Sequence, residues 1–100
     1  MRYEIVVHEL ALEELESFRA FDQRRILAEI REQLADQPSV PTRRRKSLID
    51  LTPSFEHELP VWELRVGAFR VFYDVAEEKR LVHVRSVRRK QPRQRTEDIV

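Results

Sequence analysis

Apolar and polar residues alternate most regularly in residues 61–90, VWELRVGAFRVFYDVAEEKRLVHVRSVRRK. Trp62, Leu64 and Val66 alternate with Glu63 and Arg65, the period-two signature of a half-buried strand. Phe69, Val71, Tyr73 and Val75 continue the alternation after Gly67-Ala68. That dipeptide holds the chain's only glycine and suits a type II′ hairpin turn, with glycine at the first central position. The implied register sets Val66 against Phe69, Arg65 against Arg70, Leu64 against Val71 and Trp62 against Tyr73. One face of the hairpin is then apolar and forms the core. The other face carries Glu63, Arg65, Arg70 and Phe72. A third strand, Leu81 to about Val87, follows a polar turn at 76–80. Val82 and Val84 fit its core face, which sends His83 and Arg85 to the arginine face. The strand runs into Arg88-Arg89-Lys90.

Earlier in the chain, Tyr3, Ile5 and Val7 predict a strand over 2–8. Leu10, Leu12, Leu15 and Phe18 repeat at helical spacing and predict a helix from Glu9 to Phe18. Ala20-Phe21-Asp22 interrupts that period, and Asp22 reads as the N-cap of a second helix ending near Asp36. Ile26, Leu27, Ile30 and Leu34 are its buried stripe. Residues 37–46 are a proline-punctuated loop ending in four consecutive cations, Arg43 to Lys46. Ser47–Thr52 reads as another short strand, and Pro53–Pro60 as irregular chain. Thr96-Glu97-Asp98 has a helix-start pattern, with too few residues behind it for a helix stable on its own. The order β-α-α-β-β-β predicts a single α+β domain over residues 1–100. A two-helix hairpin packs on one face of a mainly antiparallel sheet.

Composition changes the picture mainly through charge. The net charge is +1, yet residues 1–36 carry five Arg and Lys against nine Asp and Glu, while residues 79–95 carry eight cations and no acid. Sixteen of the nineteen cations are arginine, the side chain suited to bidentate phosphate contacts. A basic working face is the implication. No cysteine is present, so disulfides and thiolate metal sites are excluded. The charged N-terminus lacks the apolar stretch of a signal peptide, and no apolar run is long enough to span a bilayer. A cytoplasmic protein without a membrane segment is expected.

Several chemistries drop out. His8, His57 and His83 have no partner at metal-ligand spacing, so no metal site is expected. No serine lies in a nucleophile-elbow context, and one glycine cannot build a phosphate-cradling loop, so no nucleotide cofactor is expected. What remains is an arginine-rich sheet face flanked by Arg43-Arg44-Arg45-Lys46 on one side and Arg88-Arg89-Lys90 on the other. Arg65 directly opposite Arg70 is unfavourable unless carboxylates or a bound anion relieve it. A nucleic acid held by its phosphates fits this face. Arg45, Lys46, Arg85, Arg88 and Arg89 are the expected nucleic-acid contacts, with Phe72 as the aromatic that stacks a base.

The string WELRVGAFRVFYDV, leading through a short acidic turn into LVHVRSVRRK, resembles the RelE/ParE superfamily of toxins from bacterial type II toxin–antitoxin systems. The resemblance implies a small toxin neutralised by a cognate antitoxin. It implies a RelE-like ribosome-dependent endoribonuclease that represses translation, in which the mRNA 2′-OH attacks the adjacent phosphate. The ribosome and mRNA are then partners. Arg70, after the hairpin turn, and Arg89 with Lys90, after the last strand, match the family's catalytic cations. Family members with two lysines before the turn have Val61 and Glu63 at those positions here, and Thr96 occupies the slot of a C-terminal tyrosine. Glu63, on the face of Arg65 and Arg70, is the candidate general base, because a carboxylate within hydrogen-bond reach can take a 2′-OH proton. His57 and His83 are weaker candidates. The alternative is a non-enzymatic module of the same fold, either a ParE-like gyrase inhibitor or a degenerate antitoxin-binding protein.

Overall fold

The alternating stretch folds with the register its period implies. In the computed structural model, which describes residues 2–100, β1 (Glu4–Val7) leads into α1 (Glu9–Glu16) and α2 (Ala20–Leu34). Then come β2 (Arg45–Ser47), β3 (Trp62–Val66), β4 (Phe69–Ala76), β5 (Leu81–Arg89) and a final turn of helix, α3 (Thr96–Ile99). The strands form one sheet in the order β1-β5-β4-β3-β2. β1 runs parallel to β5, and the other pairings are antiparallel. The protein is α+β, with two helices on one face of this sheet.

β3 and β4 pair Trp62 with Tyr73, Leu64 with Val71, Arg65 with Arg70 and Val66 with Phe69. Gly67 takes φ 58° at the turn, where a side chain would be strained, and the Arg25 guanidinium of α2 lies over it. The apolar face packs Leu64, Val71, Tyr73, Val82, Val84 and Val87 against Ala11, Leu15, Ile26, Ile30 and Leu34 of the helices. Each such fully buried aliphatic side chain contributes roughly 1.5–3 kcal/mol by leaving water.

Four expectations are corrected. Asp22 is not an N-cap: α2 begins at Ala20, and Asp22 sits in its first turn, bonded to Arg19. The apolar stripe of α2 is fixed by packing, so the helix extends back past the break in period. β2 spans Arg45–Ser47 rather than 47–52, because Arg45, Lys46 and Ser47 stand opposite Leu64, Glu63 and Trp62. A bulge at Phe72/Tyr73 shifts the β4–β5 register so that Val84 pairs with Tyr73 and Ser86 with Phe72, leaving Arg85 over. Without it, strict alternation from Val82 and Val84 would drive Arg88 into the core and Val87 out.

The fourth correction matters most for function. The arginine face is not open throughout. Phe55, Val61, Phe72 and Ile99 form a second small core, brought together by the 53–61 segment and α3. Phe72 is 0% exposed. This packing stabilises a helix too short to form alone. The Asp98 carboxylate also accepts the Arg95 amide at 2.8 Å, and the Ile99 carbonyl accepts Arg88 Nη1 at 2.6 Å.

Candidate anion-binding site

The covered half and the open half of this face divide the cations. Toward β1, each arginine is consumed by partners. Arg85 is buried and donates to both carboxylate oxygens of Asp74, at 2.8 and 3.2 Å, with Glu56 at 3.5 Å. Arg88 is bound by Glu14, whose other oxygen accepts the Ser86 hydroxyl and the Val87 amide at the free edge of β5. The Arg88 guanidinium also lies over the Phe55 ring. Arg85 and Arg88 are therefore structural cations here, because each already has its counter-charge. Phe72 has no face left to offer a base. Arg45 is withdrawn too: opposite Leu64, it points to the helix side and donates to the Gln33 and Asp36 carbonyls at the end of α2. Arg89 pairs with Phe69 on the helix face, its guanidinium over that ring, although the side chain remains exposed.

Toward β2 the face opens into a cleft of about 220 Å³. The strands bring Lys46, Glu63, Arg65 and Arg70 to its walls, and the chain after β5 adds Lys90 and Thr96. Thr42, Arg43 and Arg44 from the preceding loop and Arg45 of β2 complete it, with the Arg45 guanidinium turned to the end of α2. The sequence reading named Arg43 and Arg44 only as part of the RRRK flank, not as individual contacts. Arg70, Glu63, Arg65 and Lys90 line this one cleft, with Arg45 and Lys46 among the expected contacts, whereas Arg89, matched with Lys90 to the family's cations, lies outside it.

Glu63 is the only carboxylate in the lining, and it is 4% exposed. One oxygen accepts the Thr96 hydroxyl at 2.7 Å, and the other lies 3.7 Å from the Lys46 ammonium. Arg70 donates to the Gly67 and Phe69 carbonyls at 2.9 Å, which fixes its fork at the hairpin tip. Burial pulls its pKa below the ordinary arginine value. Glu63 opposes that shift and Arg65 reinforces it. Among the described residues, Arg43, Arg65, Arg70 and Lys90 make no ion pair, whereas Arg44 reaches Glu29 at 3.3 Å. Four unpaired cations around one engaged carboxylate leave a net positive hollow. Its size and charge suit an anion such as a phosphodiester group.

The other titratable candidates lie elsewhere. Tyr73 donates to the Pro38 carbonyl in the main core, and burial raises its pKa far above the ordinary phenol value. Tyr3 donates to Glu77, which raises its pKa. His57 bonds the Phe55 carbonyl, and His8 and His83 bond each other at 2.8 Å. Among the described residues, no three His, Asp or Glu side chains gather to hold a metal ion. No helix described is long and apolar enough to cross a membrane.

Residues 5–91 match the family described as the ParE toxin of type II toxin–antitoxin system, parDE. The chain belongs to this family. It is a toxin of the RelE/ParE group. No protein of curated function matches it. Solved structures agree on the fold. A chain of the toxin–antitoxin complex RelBE2 from Mycobacterium tuberculosis superposes with TM-score 0.71 at 19% identity, over 90% of this toxin and 93% of that chain. The archaeal RelE–RelB complex from Pyrococcus horikoshii gives 0.70 at 22%, over 94% and 100%. The isolated E. coli RelE toxin gives 0.67 at 19%, over 92% and 88%.

Proposed function

We propose that this toxin is a ribosome-dependent endoribonuclease that binds the mRNA backbone in the Lys46–Arg70–Lys90 cleft, and that a cognate antitoxin neutralises it. The observation that carries this reading is the convergence of four unpaired cations on a hollow whose sole carboxylate is Glu63. In the reaction, the 2′-oxygen of the substrate forms a bond to the adjacent phosphorus and the bond from phosphorus to the 5′-oxygen breaks. Glu63 takes the 2′-OH proton, and Lys90 supplies one to the leaving oxygen. Arg65 and Arg70 stabilise charge on the phosphoryl oxygens, a role commonly worth about 3–4 kcal/mol per donor. The carboxylate must exchange a present contact for the substrate hydroxyl, and the 3.7 Å approach of Lys46 is the looser of the two.

A second reading has its own support. Both Glu63 oxygens are engaged and the residue is almost fully buried. The matching family is described by ParE. Together these favour a non-enzymatic inhibitor, of DNA gyrase in the ParE manner, that uses the cationic cleft only for binding. One experiment separates the two. Primer extension on mRNA in a translating extract should show new 5′ ends with the toxin and none with Arg70→Ala. Intact mRNA together with loss of gyrase supercoiling would overturn the ribonuclease reading.

A further inference from the structure

The cationic cleft is continuous with a second hollow, because Lys46, Lys90 and Thr96 line both. The hollow has a volume of about 450 Å³, within the roughly 300–1,000 Å³ of small-molecule sites. The chain after β2 brings Leu48, Ile49 and Leu51 to it, and the chain around the start of α3 brings Gln94, Arg95 and Glu97. Aliphatic surface beside a row of polar side chains suits a flat ring, apolar on its faces and polar at its edge. The polar row is only loosely engaged with itself. Arg95 meets Glu97 at 3.7 Å, with 81% and 50% of the two side chains exposed. Neither has another ion-pair partner among the described residues. Gln94 accepts the Gln91 amide on its side-chain oxygen at 2.8 Å, which leaves its amide hydrogens to donate.

We propose that this hollow holds the base of the nucleotide whose 3′-phosphate lies in the cationic cleft, and that Arg95 and Glu97 select guanine there. The proposal rests on the phosphodiester reading of the cleft given above. Thr96 sets the direction of the strand. It lines both spaces, and its hydroxyl bonds the Glu63 carboxylate at 2.7 Å. A ribose bridging the base and the phosphate therefore passes Glu63, with its 2′-OH toward the carboxylate and its 3′-phosphate among Arg65, Arg70 and Lys90. Guanine answers the polar row most fully. Among the four bases it alone presents two adjacent N–H donors, on N1 and N2, to one carboxylate, and two acceptors, O6 and N7, to one guanidinium. O6 and N1 are neighbours on the ring edge, so a guanidinium at one and a carboxylate at the other stand side by side, as Arg95 and Glu97 do. Adenine and cytosine offer the carboxylate a single amino group, and uracil offers one N–H flanked by two carbonyls. The aliphatic residues serve the ring face. Ile49 is 77% exposed, and a ring laid on it removes apolar surface from water.

The test is the affinity of the intact toxin for the four ribonucleoside 3′-monophosphates, titrated with detection by NMR. Guanosine 3′-monophosphate should bind about tenfold more tightly than the other three, the scale of one base-specific contact pair. Glu97→Gln replaces an acceptor oxygen with a donor at an exposed position, so the fold should persist, checked by circular dichroism. The four affinities should then become nearly equal. Arg70→Ala should weaken all four, because it removes a phosphate contact, while the guanine preference persists. The Ile49 methyl should show cross-relaxation with the guanine ring proton. Equal affinities in the parent toxin, an undiminished preference in Glu97→Gln, or a guanine ring without contact to Ile49 would overturn the proposal. Primer extension separates this result from the ribonuclease reading. New 5′ ends that follow guanine, and that Glu97→Gln disperses, support both. Uncleaved mRNA with the guanine preference retained would remove the ribonuclease and keep the subsite. Cleavage after any base, with equal affinities, would remove the subsite and keep the ribonuclease.

Discussion

Glu63 holds its carboxylate between the Thr96 hydroxyl and the Lys46 ammonium, in a cleft lined by four cations that make no ion pair among the described residues. An almost fully buried charge persists only when such groups compensate its lost hydration. The same contacts aim the carboxylate and restrict it. Glu63→Gln keeps the shape and can still accept the Thr96 hydroxyl, but it cannot take a proton. If the toxin cleaves mRNA, this variant should lose about 100- to 10,000-fold in rate, the usual contribution of a positioned general base. Binding to ribosomes should remain, as read by co-sedimentation. Cleavage at the parental rate would remove Glu63 from the mechanism.

α3 and the bulge in β5 decide which arginines remain available. The bulge returns Val87 to the main core and puts Arg88 where Glu14 and the Ile99 carbonyl can bind it. α3 then closes over Phe72 through Ile99 and hands Thr96 to Glu63. A helix of one turn has little stability of its own, so its docking depends on the Ile99 and Val100 contacts, the Thr96–Glu63 bond and the Arg88 bond. Ile99→Ala should cost about 2 kcal/mol, the low end for an aliphatic truncation, because the site lies at the rim of the small core. Urea denaturation is the measurement, with the midpoint lowered and the slope unchanged.

Across the whole molecule, charge is sorted by sheet half. Near β1 carboxylates answer every arginine on the sheet face, and near β2 cations are left in excess. The paired half also holds the His8–His83 contact. Burial lowers the His8 pKa first, then Arg85 and His83, with Asp74 and Glu56 opposing. Folded His8 therefore accepts a proton at lower pH than unfolded His8. The stability it contributes is fully present above about 6.5, the unfolded value, and is lost as pH falls through the lower folded value. The urea midpoint should drop between pH 7 and pH 5, and His8→Gln should flatten that dependence. An equally steep decline in His8→Gln would assign the effect to other groups.

Local pattern by itself determined the hairpin register, the two helices, the core face and the pairing of Arg65 with Arg70. Period-two and helical spacing are properties of neighbours in sequence, and Gly67 was the only residue suited to the turn. The broken spacing Val82, Val84, Val87 even carried the bulge, for a reader willing to let the period slip. Only the tertiary structure decided which cations are free. Arg45 turned to the end of α2, Arg85 to Asp74 and Arg88 to Glu14, and none of those partners is near in sequence. It also decided that Phe72 is core, since the cover arrives from residues 55, 61 and 99. A side chain's charge is written in the sequence, but its availability depends on long-range counter-charges and covering apolar groups, which exist only once the chain has folded.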